Sequence, residues 1–84
     1  MPLRAQHLVE AFATSEGVRI IDVMSKPSGF VAKRRRYRLW AALYAEETAD
    51  GRAWTLRQIG EWFGVAHGHV SVGIASAASS EAVA

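Results

Sequence analysis

The chain contains no cysteine. It therefore has no disulfide framework, and no thiolate is present to hold a structural metal. Long apolar runs are missing too: the hydrophobic stretches are broken by charged or polar residues within a few positions, well short of a membrane span. The opening residues Met1 to His7 lack the apolar core of a signal peptide, and a cytoplasmic, nucleoid-associated location is expected. Acids are absent from the whole stretch between Lys26 and Arg38, which instead carries six bases.

What is present fits one small domain. Half of the 84 residues are apolar, with three Trp, three Phe and two Tyr. That content supports a core, although a marginal one at this length, and argues against disorder. Apolar spacing predicts an all-α fold, a small bundle of about five helices whose last two form a helix-turn-helix. Leu8, Val9 and Phe12, with Leu3 or Ala5 behind them, give a first helix over Leu3 to Ser15, ended by Gly17. Ile20, Ile21, Val23 and Met24 suit a short second helix from Arg19 to Ser25, before the break at Pro27-Ser28-Gly29. A long third helix is expected from Val31 or Ala32 to Thr48, with Leu39, Trp40, Leu43 and Tyr44 inward, and then a loop over Ala49 to Arg52. The domain is read as residues 1–78, with 79–84 a flexible tail or the start of a linker. Trp40, Trp54 and Trp62 are read as packing residues.

The most informative segment is Thr55 to Ser71. Thr55 is an N-cap for a fourth helix in which Ile59 and Phe63 share one face. Gly60 lies between them and permits close approach; Gly64 can end the helix in the left-handed conformation. Val65 packs inward from the turn, and Val70 with Ile74 gives a fifth helix its inner stripe, running to Ala78. Two short helices joined this way form the motif that enters the major groove of DNA. The one-signed segment Lys26, Lys33, Arg34, Arg35, Arg36 and Arg38, just upstream, is the electrostatic footprint of a phosphate-backbone contact.

The order of these features resembles the C-terminal DNA-binding domain (domain IV) of the bacterial replication initiator DnaA. Gly17 to Lys26 is similar to that family's short helix and the break after it. Val31 to Trp40 resembles its basic loop feeding a long helix, and Thr55 to Gly64 resembles the first helix of its helix-turn-helix. The family signature that follows, Gly-Arg-Asp-His-Thr-Thr, is replaced here by Val65-Ala66-His67-Gly68-His69-Val70-Ser71, without Arg or Asp. His69 and Ser71 align with the family's His and second Thr only if one residue is inserted. No Gly-rich loop ending in Lys-Ser or Lys-Thr occurs, so the family's nucleotide-driven activity is not expected. The resemblance implies the fold more than the DNA preference.

The expected roles follow. By the resemblance, Lys33 takes the place of a basic-loop Arg that reaches the minor groove. Arg34, Arg35, Arg36 and Arg38 are expected on phosphates, although helical geometry lets only two or three of them face a duplex together. Arg57 and Gln58 would hold phosphate at the start of the fourth helix. His67, His69 and Ser71 are the candidates for base edges, with Gly68 allowing close approach and Ala66 and Val72 available to thymine methyls. His67 and His69 diverge at a spacing of two, as Glu46 and Glu47 do at a spacing of one, and Tyr37 and Ser71 show no activating base. Hence neither a metal, a cofactor nor an enzymatic activity is expected. The leading expectation is a double-stranded DNA-binding module of a transcription regulator, of phage or prophage type, partnered by RNA polymerase or another domain of a longer chain. A replication-control factor at initiator-type sites is one alternative. A helical protein-interaction module for an acidic partner, such as polymerase or a sigma factor, is another.

Overall fold

The computed structural model describes residues 1–83, with the side chains of residues 1–79. Five helices enclose one core. In α1 (Leu3–Glu16) the buried residues Ala5, Val9 and Ala13 recur every fourth position, which places them on one stripe. Gly17, at φ 70°, caps it. The short α2 (Ile20–Met24) buries only Val23, and Ile20 and Ile21 face solvent. Its first turn is held by Asp22, whose carboxylate accepts from the Arg19 backbone N–H at 3.1 Å and from the Arg19 guanidinium at 3.3 Å.

The spine is α3 (Phe30–Ala45). Leu39, Trp40 and Leu43 are fully buried on one side of it, where they meet Ile59 and Val70. It stops at Ala45 rather than Thr48, because Glu47–Thr48 (β1) pairs antiparallel with Gly51–Arg52 (β2) around a turn at Ala49 and Asp50. The expected loop is thus a minimal hairpin. Arg4 reaches across from α1 to the Glu46 carboxylate and the Glu47 carbonyl and ties the chain's beginning to this corner. Trp54 follows the hairpin into the core and stacks edge-on against the half-buried Trp62 at 5.6 Å.

Helix α4 (Leu56–Phe63) turns sharply into α5 (His67–Val83). The expected helix end at Ala78 is overrun: residues 79–83 continue α5, and Ala84 lies outside the described residues. Two glycines set the spacing. A Cβ on Gly60 would sit 2.6 Å from the Val65 carbonyl oxygen, so the turn folds directly onto α4. A Cβ on Gly73 would lie 2.6 Å from the Tyr37 ring and 2.7 Å from the Trp40 ring, at the closest approach of α3 and α5. Both distances are shorter than any side chain tolerates without displacement.

Candidate nucleic-acid interface

The motif begins with a complete cap. The Gln58 backbone N–H donates to the Thr55 hydroxyl at 3.1 Å, and the Thr55 N–H donates to the Gln58 side-chain oxygen at 2.8 Å. Ile59, Gly60 and Phe63 are buried, and Gly64 (φ 70°) closes the helix while the Val65 N–H donates to the Gly60 carbonyl at 2.9 Å. Gln58 thus has its carbonyl oxygen committed to the cap, with the amide N–H groups left for other partners.

Helix α5 begins differently. Ala66 precedes it, exposed and without a side-chain acceptor; only its carbonyl takes part, accepting from His69 and Val70. The first amides of α5 have no intrahelical partner, so this N-terminus carries uncompensated partial positive charge. Val70, Gly73 and Ala77 face inward, Ile74 is half-buried, and Gly68, Ser71, Val72, Ala75, Ser76 and Ser79 are exposed.

The two histidines leave α5 on opposite flanks. His67 lines a hollow of about 310 Å³ with Tyr44, Arg52, Thr55 and Arg57. His69 turns to α3, its ring 5.3 Å from Trp40 and 6.4 Å from Tyr37, both edge-on. It lines a larger cleft, of about 500 Å³, with Lys26, Lys33 and Tyr37. Among the described residues no cluster of three or more possible ligands could hold a metal, and no helix is long and apolar enough to cross a membrane.

The basic segment does not present a uniform face. Lys33 and Arg34 are exposed, lying over the Tyr37 and Phe30 rings at 5.8 and 5.6 Å, and both border the groove beside Val72 and Ser76 of α5. Arg35 and Arg38 turn instead to α1 and share Glu16, Arg35 at 3.7 Å. Arg38 also covers the Phe12 ring at 5.9 Å.

Arg36 departs furthest from an exposed position on the basic face. It is 6% exposed, its guanidinium lies 5.2 Å from the Trp40 ring and 5.1 Å from Phe63, and it donates to the Phe63 carbonyl at 3.1 Å. That carbonyl belongs to the C-terminal turn of α4, where intrahelical donors run out, so Arg36 joins α3 to the motif. Burial lowers the guanidinium pKa from its ordinary value.

The structure therefore brings together Arg57 and His67 on one side of α5, and Lys33 and His69 on the other, with Gly68 and Ser71 near its start and Arg34 further along beside Val72 and Ser76. Arg36 lies buried in the wall of the His69 cleft, and Arg35 and Arg38 lie apart from this set. Sequence reasoning counted Lys26 in the basic segment without a contact of its own, and it gave no place to Phe30, which is 72% exposed beside Arg34. No protein-family model, curated protein or solved structure matches the chain.

Proposed function

We propose that this domain binds double-stranded DNA, with the start of α5 in the major groove and cations from α3 and α4 on the phosphates to either side. One observation carries the reading: a helix N-terminus that no side chain caps among the described residues has Lys33 beside His69 on one side and Arg57 beside His67 on the other, with Arg34 further along α5 beside Val72 and Ser76. A major groove presents the same pattern in reverse, base edges between two rows of phosphate. The small residues at Gly68 and Ser71 favour close approach, and Val72, 65% exposed, suits a thymine methyl. The order of elements keeps the likeness to the initiator's DNA-binding domain as support for this reading. Use in a transcription regulator is the leading role, with replication control at initiator-type sites as its relative.

The test is fluorescence anisotropy on labelled duplex DNA across a range of salt. Lys33→Ala with Arg34→Ala is expected to weaken binding to all sequences and to make the dependence of log K on log salt shallower by about 0.9 for each phosphate no longer neutralised. Arg38→Ala, whose cation is held by Glu16, is expected to change little. Equal affinity of the wild type and the double variant would overturn the reading.

A second reading has its own observation. The outer face of α5 bears no charge and no amide side chain among the described residues, whereas base readout commonly uses Arg, Lys, Asn or Gln. Such a face also fits contact with another protein, the acidic partner then lying on Lys33 and Arg34. Preference for one duplex over scrambled competitor separates the two, since a protein-interaction module has none.

A further inference from the structure

The cleft on the His69 flank has a wall that its own chain leaves unbalanced. Arg36 is the one buried charged residue among those described, and no carboxylate lies within ion-pairing distance of it. Its Nε is buried without a hydrogen-bond partner. Two aromatic faces offset part of the desolvation, but a guanidinium has five N–H donors, and a buried charge is strongly disfavoured without an anion. Lys26 and Lys33 stand on the rim, and no acid lines the cleft. The remaining wall is Pro27, Tyr37, Phe63, Gly64 and Val65, apolar or aromatic, with the His69 imidazole as a further polar group. Its volume of about 500 Å³ is that of a small-ligand site, and its composition pairs an apolar body with a convergent positive end.

We infer that this cleft is a phosphate-binding site, with Arg36 as its fixed wall and Lys26 and Lys33 as its mobile rim. The inference does not depend on DNA binding, because the same chemistry serves a phosphate of the duplex backbone or a small phosphate ester. Lys26, outside the cations placed on the duplex, belongs to this site. Arg34 and Arg57 do not line it, although their charge is the same.

The experiment is isothermal titration of the full chain with inorganic phosphate and with phenyl phosphate, at low ionic strength, with chloride as the reference anion. Saturable single-site binding is expected, tighter for phenyl phosphate because the ring meets the apolar wall. Lys26→Ala with Lys33→Ala is expected to weaken it by about tenfold or more, the size of one charge-assisted hydrogen bond. Arg19→Ala with Arg38→Ala removes equal charge outside the cleft, at side chains paired with Asp22 and Glu16, and is expected to leave it nearly unchanged. All four side chains are exposed, so both variants should fold, which circular dichroism verifies. Equal weakening in the two variants, or no saturable uptake by the wild type, would overturn the inference. Adding a short duplex identifies the source. Displacement of phenyl phosphate assigns the site to backbone phosphate, and simultaneous binding assigns it to a small ester. A domain that takes up phosphate but ignores duplex DNA would overturn the DNA-binding reading alone.

Discussion

Helices α4 and α5 follow each other in the chain, yet they begin in opposite ways. Thr55 and Gln58 satisfy the first amides of α4 reciprocally, and Gly64 closes its far end. A short turn later α5 starts behind Ala66, with no side-chain acceptor to receive its amides. The difference separates two tasks. α4 is closed at both ends and serves as a seat; α5 is gripped along one stripe by Val70, Gly73 and Ala77, and its N-terminus is exposed. On the proposed reading, stability and recognition are assigned to different helices of one motif.

The largest effects should come from breaking the seat. Gly60→Ala drives a methyl into the Val65 carbonyl, a backbone atom that cannot swing aside. A destabilisation of about 3 kcal/mol is expected, at the upper end for overpacking. In a domain this small that corresponds to a fall in Tm of roughly 12 °C or more, read by thermal circular dichroism. Gly73→Ala meets ring atoms of Tyr37 and Trp40, which can yield slightly, and alanine favours helix by about 1 kcal/mol. A smaller net destabilisation, about 1–2 kcal/mol, is expected there. Melting of both variants at the wild-type temperature would contradict the tight seat.

The caps allow a sharper test. Thr55→Ala should cost about 1 kcal/mol by removing the capping box. Ala66→Asp should do the reverse, supplying a cap that stabilises α5 by up to about 1 kcal/mol while placing a negative charge where a phosphate would lie. Its Tm is expected to rise and its duplex affinity to fall. If both rose together, the open N-terminus would have no part in binding.

The smallest effect concerns α2, the least buried helix. The Arg19 side chain, and then the Arg19 backbone N–H, hydrogen-bond the Asp22 carboxylate and hold its pKa below the usual value. A depressed carboxylate contributes stability above its unfolded pKa and loses it as pH falls through the folded value. Protection factors over Ile20–Met24 should therefore fall on acidification while those of the core amides hold, and Asp22→Asn should remove that dependence. A protection factor in α2 that stays constant through the carboxylate range would contradict this.

Much of the fold was legible because its signals are local. The Thr55 cap, the Ile59–Phe63 pair and the Gly64 turn each act within a few residues, and they appear in the structure as expected. Arg36 was partly legible: it precedes Trp40 by four and Leu43 by seven, which puts it on the buried face of α3. Four bases in five positions hid that periodicity behind their charge. The hold of Glu16 on Arg35 and Arg38 was not legible, since it joins residues 19 and 22 apart in sequence and depends on how α1 lies against α3. Gly73, a lone glycine within a helical pattern, was a signal of close packing that the apolar stripe alone did not use. The hairpin strands, two residues each, are too short to show an alternating pattern.

The most direct measurement is a titration of the isotope-labelled domain with a short duplex, followed by amide chemical shifts. Shifts confined to the first turns of α5, to Lys33 and Arg34 and to the start of α4, with α1 unmoved, are the result expected of a groove-seated α5 flanked by phosphate contacts. Shifts centred on α1 and the Glu16 face, or none at all under conditions of low salt, would contradict it.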